Sequence, residues 1–181
     1  MLTENEREFL LHIARLSMIA AVNKKGALIP DKVPPALQEN RGAFVTLYKS
    51  GELRGCIGYI EGFKPLVEIV WDAAEKAALE DYRFIPVTPN ELTDIDIQIS
   101  VLSPPELITD INKIEVDKHG LIIEFEHNRG LLLPQVATEY GWDRETFLNQ
   151  TARKAGLTSD RWKDPKSKIY IFSAEIFKEN K

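Results

Sequence analysis

Between Leu66 and Leu79 only Glu68, Asp72, Glu75 and Lys76 are polar, at spacings of four, three and one. On a helix of 3.6 residues per turn they fall on one narrow stripe, and Val, Ile, Trp, Leu and Ala take the rest of the circumference. A helix this apolar has to be covered on most sides, which places it at the centre of the fold. Pro65 suits its first helical position. Ala73, Ala74, Ala77 and Ala78 leave one side thin enough for a sheet to approach closely.

The elements around that helix follow from simple periods. Thr3 with Glu6 makes a capping box, and Phe9, Leu10, Ile13, Ala14, Leu16 and Ala20 predict an amphipathic helix running to about Ala21. Val33-Pro34-Pro35 and Arg41-Gly42 punctuate a connector. Phe44 to Tyr48, a turn at Lys49-Ser50-Gly51-Glu52, and Leu53 to Ile60 then read as a hairpin. Ile95, Ile97, Ile99 and Val101 alternate with polar residues, which predicts a strand that Pro104-Pro105 ends. Leu121 to Glu126, a turn at His127-Asn128-Arg129-Gly130, and Leu131 to Leu133 predict a second hairpin. Pro134 opens a short helix stopped at Gly141, Asp143 caps another that ends at Gly156, and Ile169 to Phe172 supplies a last strand. Both halves thus read as hairpin, arginine-glycine, proline, helix.

Composition narrows the function classes. With 181 residues the chain fits one domain, 1–181, whose lobes would divide near 90–105. The 23 Lys+Arg are set against 28 Asp+Glu, net −5, with both signs mixed along the chain. That balance, without a basic, aromatic-interleaved stretch, argues against nucleic acid and anionic membrane surfaces as partners. The opening residues lack the basic start and apolar core of a secretory signal, and no apolar stretch approaches the roughly 20 residues that span a bilayer. A cytoplasmic setting is expected. One cysteine excludes an intramolecular disulfide, and three scattered histidines give no metal-ligand spacing. No cofactor can be named from these residues.

The most specific segment is Leu53-Arg54-Gly55-Cys56-Ile57-Gly58. Strand alternation would put Leu53, Gly55 and Ile57 on one face and Arg54, Cys56 and Gly58 on the other. Thiol and guanidinium would then lie about 7 Å apart, close enough for the cation to favour a thiolate. Against this stand two plain alternatives, a Cys56 that packs as a small hydrophobe and an Arg54 in a structural ion pair. Gly55 and Gly58 would either open the backbone to a ligand or admit another chain segment.

Read with Phe44-Val45-Thr46-Leu47, the segment resembles the signature of the AMMECR family. Asp81-Tyr82-Arg83-Phe84, Ile99 to Glu106, His119-Gly120-Leu121, Arg129 to Val136 and Lys154-Ala155-Gly156-Leu157 are similar to that family's later blocks, in order, so the resemblance covers nearly the whole chain. It implies an α+β protein, a single compact two-lobed unit with a curved, barrel-like sheet and a duplicated strand and helix arrangement. At Asp81, Arg83 and Phe84 it also implies that this segment borders the same cleft as the hairpin, making Asp81 and Arg83 candidate substrate-binding residues beside Gly55 and Gly58; the plain alternative is solvation of the helix end and loop. Prokaryotic relatives stand beside a Memo-like protein and a radical S-adenosylmethionine protein, the AmmeMemoRadiSam system, which implies a shared pathway and assigns no reaction. The family often carries a second cysteine where this chain has Ala152, and that departure counts against a mechanism needing two thiols in one subunit.

His119 is the candidate general base, since imidazole titrates near neutral pH; its alternative is a turn or edge residue. His127 and His12 rank below it. Tyr140, Trp142, Phe147 and Trp162 read as core packing, or as a partner surface if exposed. Two functions follow. The first is a small enzyme using Cys56, Arg54 and His119 on a small anionic or nucleotide-like ligand, and the motif's position favours it. The second is a non-catalytic binding or adaptor protein acting with Memo-like and radical S-adenosylmethionine partners.

Overall fold

The computed structural model describes residues 1–179, which form an α+β protein of two units. One unit comprises Met1–Leu102 with the segment from Glu175 onward, and the other Ser103–Ala174. In the first unit, α1 (Glu4–Val22) starts at the predicted capping box: Thr3 N donates to Glu6 Oε2 at 2.7 Å and Glu6 N to Thr3 Oγ1 at 3.4 Å. Strands β1 (Ala43–Lys49) and β2 (Glu52–Tyr59) form the first hairpin, turning through Ser50 and Gly51, both at positive φ, the twist that a two-residue hairpin turn requires. The apolar helix α2 (Leu66–Leu79) begins after Pro65, which is its N-cap rather than its first helical residue. Strand β3 (Ile95–Leu102) then returns to pair with β1.

Helices α1 and α2 pack together and close one face of the order β2-β1-β3. Val45, Leu47, Ile95, Ile97, Ile99 and Val101 meet Leu10, Ile13, Met18 and the four alanines of α2, all at 2% exposure or less. Each fully buried Leu or Ile contributes about 1.5–3 kcal/mol, so this face supplies most of the unit's stability. Ser17 Oγ donates to the Trp71 carbonyl at 2.7 Å and fixes α1 against α2.

The second unit repeats the order. Strands β4 (Glu106–Ile108), β5 (His119–Phe125) and β6 (Asn128–Leu132) precede α3 (Pro134–Glu139), α4 (Arg144–Lys154) and β7 (Lys168–Lys178). The start of β7 pairs with β5 and, on its other side, with β4. In both units a hairpin, then helix, then a strand returning to the hairpin's first strand make up the pattern, the duplication expected above. Phe147, Leu148, Ala137, Leu121 and Ile123 form the second core, with Trp142 and Trp162 packed at its border.

Two expectations need correction, and one strand was not expected. The second turn lies at Glu126 and His127, with Glu126 at φ 55°, so Arg129 and Gly130 belong to β6 and face Glu124 and Ile123. The last strand has 11 residues rather than the predicted four, because its later half has its own partner: β7 borders β3, and Glu179 N donates to Ile97 O at 3.0 Å. Strand β4 had no signal. Among the described residues no helix is long and apolar enough to cross a membrane.

Candidate functional site

Strand β2 is the outer strand of its sheet, and its register skips a residue. Leu47 opposes Gly55 while Tyr48 opposes Leu53, so Arg54 is the extra residue of a β-bulge. The bulge breaks the expected alternation. Leu53 joins Cys56 on the face of Thr46 and Tyr48, and Arg54 leaves it for Glu91, which also binds Lys49. The guanidinium therefore does not share a face with the thiol.

Arg54 is instead a tie. Its Nε and Nη2 donate to the two Glu91 carboxylate oxygens at 3.1 and 3.3 Å, and Nη1 donates to Ile85 O at 2.9 Å. Those hydrogen bonds from Arg54, then the Thr88 backbone N–H and Lys49, hold the Glu91 carboxyl well below the usual carboxylate range despite its burial. The structural ion pair weighed for Arg54 is thus present in the fold.

Cys56 is held by its backbone. Its N–H donates to Asp81 Oδ2 at 2.8 Å, and its carbonyl accepts from Arg83 Nη2 at 3.3 Å. Asp81 is buried and bound to Arg83, with Nη2 to Oδ2 at 2.6 Å and Nε to Oδ1 at 2.9 Å. One acceptor and one donor, locked together, occupy the outer edge of β2 as a neighbouring strand would. Arg83 lowers the Asp81 carboxyl to about 2, outweighing burial, and the Cys56 N–H adds to the effect. The half-buried Cys56 Sγ accepts a hydrogen bond from Thr46 Oγ1 at 3.3 Å.

The two motif glycines serve packing. A Cβ on Gly55 would stand 2.1 Å from the Ala77 carbonyl oxygen of α2, and one on Gly58 would stand 2.4 Å from Ala43 O. Gly130 repeats the device, with Ala155 N at 2.3 Å from its virtual Cβ. Asp81, Arg83, Cys56, Gly55 and Gly58 are therefore gathered around one strand edge, with Arg54 at its bulge.

His119 lies in the other unit, at the first position of β5, where Nδ1 accepts from Glu115 N at 3.1 Å and closes the preceding turn. His127 is in the exposed second turn and His12 on α1. Of the aromatic group, Phe147 is fully buried, whereas Tyr140 is 68% exposed and stacks on Trp142 at 5.0 Å.

The sequence reading missed a polar network on β2 and α2. Tyr59 Oη donates to Asp72, and Lys76 Nζ donates to Tyr59 Oη at 2.7 Å and to Asp72 Oδ2 at 3.0 Å. Burial, and then the hydrogen bond to Asp72, push the Tyr59 hydroxyl up. Asp72 and Lys76, four apart on the helix stripe, were its visible half; Tyr59 reaches them only through the strand-helix contact. Among the described residues no cluster of His, Cys, Asp and Glu is placed to hold a metal ion.

Two units, each a hairpin backed by a helix and joined by a returning strand, with a glycine of the hairpin's second strand pressed on a helix end, define the class. The chain belongs to the AMMECR1 family, whose sequence model matches residues 11–177. A protein of Methanothermobacter thermautotrophicus is 47% identical over 186 residues, spanning 99% of this chain and 97% of its own. One of Thermococcus kodakarensis is 46% identical over 183 residues, spanning 95% and 89%. The crystal structure of an uncharacterised Pyrococcus horikoshii protein matches with a TM-score of 0.86 at 42% identity, covering 99% of this chain and 94% of that one.

Proposed function

We propose that this AMMECR1-family protein works by binding a partner protein, not by cysteine chemistry. The observation that carries this reading is how the motif spends its polar groups: Arg54 on Glu91 and Ile85, the Cys56 backbone on Asp81 and Arg83. A nucleophilic thiol needs a base or a cation beside it. Cys56 has the Thr46 hydroxyl, which cannot serve as that base, and Arg83 is already matched by Asp81. Along the same edge Leu53, Tyr82 and Ile85 are 40%, 94% and 78% exposed, apolar surface of the kind a partner covers. The Memo-like and radical S-adenosylmethionine proteins implied by the resemblance are the first partners to try.

The test is alkylation of the single thiol by iodoacetamide, native against unfolded, from about pH 6 to 10. The native rate is expected to stay below the unfolded rate throughout. A native rate above the unfolded one at the acid end would mark an activated thiolate and return the enzyme reading, with Cys56 as nucleophile on a small anionic ligand.

A further inference from the structure

We propose that the groove between α2 and the connector over residues 28–38 is the docking site for a partner segment presenting Lys or Arg side chains along an apolar strip. This rests on the reading that the protein acts by binding a partner, and adds to the β2 edge a second surface and the chemistry of what it takes.

The groove has a volume of about 580 Å³. Its apolar lining comes from Val67 and Trp71 of α2, Pro65, and Ile29 and Val33 of the connector. Its polar lining is largely acidic. Asp31, Glu68 and Glu75 form no ion pair among the described residues, and Asp72 is held by Tyr59 and Lys76. One cation is present, Lys64, whose ammonium lies 5.9 Å from the centre of the Phe63 ring. Ile29, Val33 and Trp71 are only partly buried, so the groove presents apolar side chains to solvent.

The helix wall is fixed, and the connector is tied to it at its later end. Leu66 N donates to Glu39 O at 2.9 Å, Gln38 Nε2 to Val33 O at 3.0 Å, and Asn40 bridges to Pro65. A partner therefore meets a surface whose α2 side is already formed.

Charge and length select the occupant. Glu68 and Glu75 stand two turns apart on α2, about 10 Å, with Asp31 on the opposite side of the groove. One small cation cannot satisfy carboxylates so far apart. A helix carrying cations two turns apart can, and its apolar face would cover Trp71 and Val67.

The probe is a fluorescein-labelled 14-residue peptide with Leu and Lys at helical spacing, read by anisotropy on the full-length protein at near-physiological salt. Glu68→Lys with Glu75→Lys, both exposed positions, should weaken binding about tenfold or more. Asp117→Lys with Glu139→Lys makes the same charge change on exposed residues of the other unit and should weaken it less than about twofold. Ile29→Ser, in the groove's lining, leaves every charge in place and should still cost about fivefold. Equal loss in the two charge-reversed proteins would mean attraction to net charge alone and would overturn the proposal, as would no binding at all. Self-association displaced by the peptide would assign the groove to a second copy and overturn it too. If the peptide fails while Cys56 alkylates slowly, the groove is wrong and the binding reading stands; fast native alkylation removes the binding reading itself.

Discussion

Replacing Gly55 with alanine adds one methyl between β2 and α2. Its carbon would stand 2.1 Å from the Ala77 carbonyl oxygen, where ordinary contact begins at 3.4 Å, so strand and helix must part by about 1.3 Å. The obstructing atom is backbone, and it belongs to the helix at the centre of the first core, where Ala73, Ala74, Ala77 and Ala78 are all buried. No side-chain rotation relieves the clash. Overpacking of this kind costs about 1–3 kcal/mol, and a backbone obstacle puts it at the upper end. Alanine restrains the unfolded chain by about 0.4–1 kcal/mol, which leaves a net loss of about 2 kcal/mol. With a urea slope of about 2 kcal/mol/M, the unfolding midpoint should fall by about 1 M. Gly26→Ala is the control, since nothing lies within 4 Å of that position, and with the unfolded-state restraint alone it should stabilise by about 0.4–1 kcal/mol. If Gly55→Ala unfolds within about 0.2 M of the parent, close packing is not why glycine stands in the motif.

By the same reasoning Gly130→Ala should cost about 1–3 kcal/mol in urea unfolding, since Ala155 N is 2.3 Å from the new carbon; an unchanged midpoint would break the parallel between the units. Arg54→Ala should destabilise by about 1–3 kcal/mol, because it leaves the part-buried Glu91 with Lys49 as its remaining side-chain cation; a loss under about 0.5 kcal/mol would mean the tie is not structural. The Asp81 carboxyl, lowered from 3.8 to about 2, stabilises the fold above the higher value, and that contribution is lost as pH falls through the lower one. Allowing for Arg83 being 44% exposed, it amounts to about 1–2 kcal/mol between pH 5 and pH 2, and Asp81→Asn should remove that part of the slope in paired urea titrations; an equal slope in both proteins would refute the assignment.

The helices and the strand cores were legible because their signals are local. Thr3 and Glu6 announce a helix start within four residues, the stripe on α2 needs only its own sequence, and Ile95 to Val101 alternates without help. What the sequence did not yield depends on partners distant along the chain. The bulge at Arg54 exists because β1 sets the register and Glu91, 37 residues on, receives the guanidinium. Gly130 looked like a turn residue because glycine is common in turns, yet it is required by Ala155 at the end of α4, and the turn itself uses Glu126 in a conformation its residue type does not advertise. Of the candidate site, the gathering of Asp81 and Arg83 at Cys56 followed from the family resemblance, not from spacing. The Tyr59 network and the groove beside it were invisible until strand, helix and connector were placed together.

Strand β7 begins in one unit and ends in the other, and this orders events on the ribosome. Residues 103–174 are contiguous and can complete their core as soon as they have emerged. Residues 1–102 are made before them but finish after them: the border of β3 stays open, and Arg15 holds the Leu92 and Ile95 carbonyls without a carboxylate among the described residues until Glu179 arrives. The unit translated earlier of the two is thus the one left waiting for the later residues 175–179. A stop codon at position 175 would unsettle the unit of residues 1–102 more than the unit of residues 103–174 that it adjoins.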